Sequence, residues 1–248
     1  MRKLLLFITS IVVVCLSASS VSLQSLQQKP VQAEEVATPI EVGVLSAQQK
    51  EHSKLHEDRG SDRKIAEGIR KHSASFSAHS TACPFISQVP LPSIVSELTG
   101  AADAIVMASF VSKSSQLTSN GSYIFTDYEL RTEEVLKDSG PGALKPERII
   151  TVTRPGGKVL LYGHSATYTE LAFKPLLPGH RYLLFLKYLP TTGTYRAVSH
   201  EASFDITDTN VETLTEGSAR AFEKEVSAFI TSVRVAVTDQ QQKKGGAQ

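Results

Sequence analysis

Apolar residues are gathered along this chain in patches whose period changes. The first patch is a nearly continuous run over residues 4–18, interrupted by Thr9, Ser10 and Ser17 and preceded by Arg2 and Lys3. Over residues 34–90 large apolar side chains become sparse, and Ser, His, Gln, Lys and Glu dominate. Such a stretch buries too little apolar surface to offset its conformational entropy, which predicts a disordered, low-order polar arm. Within it, Ser61-Asp62 ahead of Ile65 and Ile69 marks a short helix, because apolar residues four apart share a helix face. Pro84, Pro90 and Pro92 punctuate the approach to a short helix over 93–98.

From Ala104 the pattern becomes that of strands. The apolar run 104–111 is bounded by Gly100 and a Ser-rich stretch. Asn120-Gly121 then supplies the residue types of a hairpin turn. The next strand alternates, with Ile124, Tyr128 and Leu130 in one register and Asp127, Glu129, Arg131 and Glu133 in the other, as in a half-buried antiparallel strand. Residues 148–153 alternate again, Pro155-Gly156-Gly157 predicts a hairpin turn, and 158–162 is the returning strand. The stretch 164–180 predicts an irregular excursion ending at Pro178-Gly179. Residues 181–186 are the most apolar strand, followed by Gly193, a strand over 194–199 and the short pair Phe204 and Ile206.

The end of the chain switches to helical period. Phe222, Val226, Phe229, Ile230 and Val233 fall on one face, and Thr209 with Glu212 has the pattern of a capping box. Burying each large side chain of this stripe on the sheet contributes roughly 1.5 to 3 kcal/mol. Together these elements predict a mainly β fold, a small antiparallel OB-like barrel of roughly five or six strands with a C-terminal α-helix and a disordered N-terminal arm. A β-sandwich is the alternative. The boundaries expected are 1–33 for a signal peptide, 34–90 for the arm, 91–207 for the barrel, 208–238 for the helix and 239–248 for a flexible tail.

Ala102-Asp103-Ala104-Ile105-Val106, Glu133-Glu134-Val135-Leu136-Lys137, Ile150-Thr151-Val152 and Gly179-His180-Arg181-Tyr182-Leu183-Leu184-Phe185-Leu186 follow one another between about residues 98 and 207. In that order they resemble bacterial relatives of the TIMP-like, netrin-module OB barrels. The resemblance implies a fold and no activity. Tissue inhibitors of metalloproteinases act through a Cys-x-Cys start that reaches the protease zinc, and nothing in this chain matches it.

The cations before residues 4–18 give that run the form of an export signal, so the expected location is secreted or periplasmic. The run is shorter than the roughly twenty residues a hydrocarbon core requires, so no stable membrane span is expected after cleavage. Cleavage is placed after Val31-Gln32-Ala33, with Ala18-Ser19-Ser20 as the alternative, and the bulky Val14 argues against lipidation at Cys15. Cys83 is then the one cysteine left, and no internal disulfide is possible. A net charge of +1 and the absence of Trp describe neither a nucleic-acid binder nor a polybasic membrane adhesin.

Candidate chemistry is thin. His52, His56, His72, His79 and Cys83 share the polar arm without the spacing of a closed four-ligand site, so no metal or other cofactor is nominated. Cys83 has no nucleophile signature, and Gly163-His164-Ser165 lacks an elbow context. The carboxylates Asp127, Glu129, Glu133 and Glu134 read as a solvated sheet face, and Pro155-Gly156-Gly157 lacks the continuation of a phosphate loop. Asn120-Gly121-Ser122 matches a glycosylation acceptor, but turn chemistry already accounts for it. No catalytic residue is assigned. One anomaly remains: Tyr123 and Phe125 occupy the register of Asp127 and Arg131. Tyr123, Phe125 and Arg131 are therefore the candidate binding residues, unless the segment 91–98 or the terminal helix covers the aromatic pair. The expected role is an exported, non-enzymatic binding or accessory module for an extracytoplasmic protein or glycan. A hydrolase with a site assembled from distant residues, or a histidine-based metal-binding arm, is the alternative.

Overall fold

Residues 118–123 make the turn that Asn-Gly predicts. Gly121 adopts φ +74°, its N–H donates to the Thr118 carbonyl at 2.8 Å, and Asn120 Oδ1 accepts from the Ser122 N–H and hydroxyl. The turn joins β2 (Ala104–Leu117) to β3 (Ile124–Asp138). In this computed structural model the described residues are 43–60, 65–72, 75–79, 91–141, 143–207, 210–215 and 226–245. All of them belong to one contact-defined unit of the chain, Thr38–Gln248. The export signal, its cleavage site, Cys15, Cys83, Pro84, Pro90 and Phe222 lie outside the described residues.

The fold is mixed α/β and strand-rich, with more strands than the pattern predicted. After β2 and β3 come β4 (Ile149–Pro155), β5 (Gly157–Leu161), β6 (His164–Thr169), β7 (Arg181–Leu189), β8 (Thr194–Ala197), β9 (Ser203–Ile206) and β10 (Val211–Thr213). Seven of these form one sheet in the order β10-β9-β7-β2-β3-β4-β8. Because β7 also pairs with β8, strands β2, β3, β4, β8 and β7 close a five-strand hydrogen-bond ring. It is not a true barrel: the β4–β8 seam is a parallel contact of two residue pairs, Val152–Tyr195 and Thr153–Arg196, and β9 and β10 continue the sheet outside the ring. Register shifts along β2 at Ile105/Val106, Met107/Ala108 and Phe110/Ser112 bend the long hairpin, as bulges do, and so let the sheet roll.

Alternation along the strands sorts two cores. Val106, Tyr128, Leu130, Ile150, Val152, Leu184 and Tyr195 cluster on the inner face of the ring. On the other face Ile105, Met107, Leu183, Phe185 and Phe204 are covered by α3 (Leu91–Ala101), through Val95 and Leu98, and by α4 (Val226–Gly245), through Phe229, Val233 and Val237. The apolar stripe of α4 is thus the one the sequence predicts. The helix nevertheless runs on to Gly245, so residues 239–245 are helical, and Glu212 lies in β10 rather than in a capping box. Lys137, near the end of β3, donates from Nζ to the Thr99 and Ala102 carbonyls at the end of α3.

Two further expectations change. Pro155-Gly156-Gly157 is not a hairpin turn; there the chain leaves the large sheet for a second one, in which β6 lies between β5 and β1 (Phe76–His79). The Gly156 N–H donates to the Ile124 carbonyl at 2.9 Å, and Gly157, at φ +146°, passes so close to β3 that a Cβ would lie 2.3 Å from Thr126 Oγ1. The hairpin reversal comes instead at Tyr162-Gly163, both at positive φ, and residues 164–169 are β6 rather than part of an irregular excursion.

Part of the expected low-order arm is built structure. It contains α1 (Ala47–His56), a 3-10 turn (Glu57–Arg59), α2 (Ile65–His72) and β1 (Phe76–His79), which pairs in parallel with β6. Ile65 and Ile69 are buried against Leu117, Ile124, Val159 and Leu161. Composition misses this because a few well-spaced apolar residues suffice once a sheet is there to receive them. No helix among the described residues is long and apolar enough to cross a membrane.

The sheet crossing should be the most glycine-dependent point of the fold. Gly157→Ala combines an unfavourable φ with overpacking against Thr126 and Ser115, and should lower unfolding stability by about 2–4 kcal/mol. Gly163→Ala, in open space at φ +77°, should cost about 1–2 kcal/mol. Urea unfolding of the two variants checks the ranking.

Candidate functional site

Helix α1 starts at a complete capping box, in which Ser46 Oγ accepts from the Gln49 N–H and Gln49 Oε1 accepts from the Ser46 N–H. Its inner face is polar: the buried residues are His52, Ser53 and His56. His52 is 0% exposed, with Nδ1 donating to Asp127 Oδ1 at 2.9 Å and Nε2 2.8 Å from Thr194 Oγ1 and 3.3 Å from Thr192 Oγ1. Ser53 Oγ accepts from the Ser119 N–H at 2.7 Å and donates to Glu57 Oε1. The helix is therefore pinned to β3, to the β2–β3 turn and to the β7–β8 connection.

His56 completes the contact. Its ring stacks on Phe125, with centroids 5.5 Å apart and planes at 18°, and lies 6.4 Å from the Tyr123 ring. Nε2 is 3.3 Å from Thr153 Oγ1, while Nδ1 has no hydrogen-bond partner among the described residues. Burial, and then the charges of Arg59, His52 and Arg196, hold its pKa down at about 3.

Asp127, His52 and Thr194 have the connectivity of an acid, base and hydroxyl relay. Position decides against that use. His52 is sealed from solvent and lines neither of the two cavities described below, so the hydrogen bonds serve to clamp α1 on the sheet. Asp127, expected on a solvated face, is buried as the acceptor of this clamp.

The candidate binding residues do not form one surface. Tyr123 and Phe125 are fully buried, which removes them as an exposed docking pair. Their cover is His56 of α1 and, for Tyr123, Tyr168 of β6 at 4.3 Å between centroids, rather than the segment 91–98 or the terminal helix. The Tyr123 hydroxyl donates to Glu170 Oε2 at 2.8 Å, and burial pushes the phenol pKa up. Arg131 is half-exposed, 4.0 Å from Glu147. Among the described residues no three His, Cys, Asp or Glu side chains are grouped as a metal ion would need. His164 and Ser165 open β6, and His79 ends β1.

Beside the clamp lies a pocket of about 480 Å³ lined by Arg59, Tyr168, Glu170, Phe173, Arg196 and His200, among others. Arg59 comes from the turn that follows α1, Tyr168 from β6 and Arg196 from β8, so the arm and both sheets contribute to it. Arg59 Nη1 is 3.8 Å from Glu170 Oε2. Two guanidinium groups against one buried carboxylate leave the pocket electropositive. Ser199 Oγ and His200 Nε2 are buried there without a hydrogen-bond partner among the described residues, and they do not bond each other. A second cavity, of about 580 Å³, lies against α1, α2 and the Asn120-Gly121 turn, and its charges, Lys50, Glu67 and Arg70, are mixed.

A scan against protein-family models and a search of curated proteins find no match to this chain.

The clamp should respond to acid. In the unfolded chain His56 titrates near 6.5 and in the folded one near 3, so between these values the unfolded state binds the extra proton. Its contribution to stability is complete above pH 6.5 and is lost as the pH falls toward 3, with a slope of up to about 1.4 kcal/mol per pH unit. His56→Phe retains the stack on Phe125 without a titrating ring. Urea unfolding across this range should show a flatter pH profile for that variant than for the natural protein.

Proposed function

We propose that this chain is an exported, non-enzymatic binding or accessory module whose electropositive pocket receives an acidic group of an extracytoplasmic protein or glycan. The observation that carries this reading is the pocket itself: Arg59 and Arg196, from separate elements, converge on a recess of about 480 Å³ in which Ser199 and His200 form no nucleophile and base pair. The OB-type, TIMP-like interpretation of the fold belongs with this proposal. Numbered by its own strands, the five-strand ring runs 1-2-3-5-4 and closes back on 1, a Greek-key order of the kind found in partly open OB barrels.

An OB barrel binds through the face of its second and third strands and through the loops after strands one and four. Helix α1 lies on the corresponding elements, since His52 and His56 reach Asp127 and Thr153, while Ser53 and His52 reach Ser119 and Thr192. In this reading the chain fills that face with its own arm, and the arm supplies Arg59 to the pocket alongside. The partner meets a composite of arm and barrel.

Retention on immobilised protein tests the proposal with polygalacturonate as the acidic glycan, polyglutamate as the acidic peptide and dextran as the neutral control. The acidic probes should be retained, less so as salt rises. Arg59→Ser with Arg196→Ser should weaken retention about tenfold or more, which corresponds to about 1.4 kcal/mol. Retention that is indifferent to both arginines, or that favours dextran, would refute the pocket as the binding site.

A further inference from the structure

Arg154 is 2% exposed and heads the largest fully buried side chains of the described residues. It follows Ile150 and Val152 in the inward register of β4. Its Nε, Nη1 and Nη2 all lack a hydrogen-bond partner among the described residues. A guanidinium carries five donors in a rigid fork and keeps its charge, so a buried one without an acceptor is a strongly unfavourable arrangement. Burial pushes its pKa below the usual arginine value. The nearby Tyr182 hydroxyl is engaged with the backbone of Leu177 and offers no charge in return.

The Arg154 guanidinium lies over the ring of Phe173, with Cζ 5.4 Å from the ring centroid. That ring also lies 5.7 Å from Arg59 Cζ and forms part of the pocket wall. Phe173 is therefore common to the pocket and the buried guanidinium. It follows Glu170 in a tight turn, with its N–H donating to the Glu170 carbonyl at 2.9 Å.

We infer that Arg154 anchors a carboxylate-binding site behind Phe173, in which a small carboxylic acid entering the pocket moves the Phe173 ring aside and takes the guanidinium fork with both oxygens. This rests on the pocket being the binding site, as proposed above. The chemistry selects a monoanion. Arg154 supplies a single buried positive charge, so a carboxylate drawn behind Phe173 is balanced there, whereas a phosphate dianion would bury a second charge without a partner. The walls select a carbon body of ring size, since Tyr168, Phe173, Ala172 and Val198 offer apolar and aromatic surface. A free acid and the acidic unit of a polymer share this chemistry, and the probes separate them.

The chain contains no Trp, so Phe173→Trp places a single indole on the wall. Titrating this variant with cyclohexanecarboxylate and with glucuronate should give a saturable shift of the indole emission for at least one of them, and none for inorganic phosphate. Calorimetry on the natural chain should show the same preference. Arg154→Met should weaken carboxylate binding at least tenfold while leaving the melting temperature of the unliganded protein unchanged or higher, because an unpaired buried charge gives way to an apolar side chain of similar shape. Saturation by the free acids identifies a small-molecule site. Binding confined to a galacturonate oligomer, and lost in Arg154→Met, identifies the polymer's acidic unit. The inference is overturned if no carboxylate saturates either protein, if phosphate binds more tightly, or if binding survives Arg154→Met. Should Arg154→Met fail to fold, the Phe173→Trp titration still decides. If acidic polymers are retained through Arg59 and Arg196 but no carboxylate saturates either protein, the proposed function stands and this inference falls.

Discussion

The hydrogen bond from His52 to Asp127 carries more of this structure than its size suggests. Helix α1 has no apolar stripe with which to grip the sheet; Leu55 is 44% exposed, and the buried side of the helix is His52, Ser53 and His56. Docking therefore depends on polar geometry. A hydrogen bond to a charged acceptor contributes about 1.5–3 kcal/mol, and an aromatic stack such as that of His56 on Phe125 about 0.5–1.5 kcal/mol. These values fix one orientation of α1 and no other, because a shifted helix would leave Asp127 buried without its donor.

Everything around the pocket follows from that orientation. The turn after α1 places Arg59 near Glu170, and Glu170 in turn accepts from the buried Tyr123 hydroxyl. His56 roofs Tyr123 and Phe125, so the aromatic pair that breaks the polar register of β3 does so to receive the arm. The break in pattern is therefore a real signal of docking, and its partner is a segment of the same chain rather than a second molecule.

How much of this is legible in the sequence depends on how local each cause is. The Asn120-Gly121 turn, the apolar strand 181–186 and the α4 stripe are set by residues near one another, and periodicity finds them. Pro155-Gly156-Gly157 misleads because the same residues serve a hairpin turn and a crossing between sheets; the choice is made by Ser115 and Thr126, which press on Gly157 from distant positions. The arm misleads because composition averages over it, whereas Ile65 and Ile69 act singly. His52 and His56 sit four apart, the spacing of neighbours on a helix face, but their partners lie on β3, β4 and the β7–β8 connection. Arg154 had a readable sign: it continues the Ile150, Val152 register, and a cation at an inward position is a break in pattern as plain as that of Tyr123.

The clamp and the pocket share an electrostatic field, which ties arm docking to ligand charge. Arg59 and Arg196 line the pocket and both depress the proton affinity of His56. An anionic group seated between them screens those charges, raises the proton affinity of His56 toward its free value and so moves the acid loosening of α1 to lower pH. Reciprocity requires the converse: a protonated His56 adds positive charge beside the pocket and strengthens its attraction for an anion, for as long as α1 stays docked. Once the arm leaves, Arg59 leaves with it and the attraction is lost. The same two arginines thus make anion binding rise with acidity down to the point at which the clamp opens, and fall beyond it.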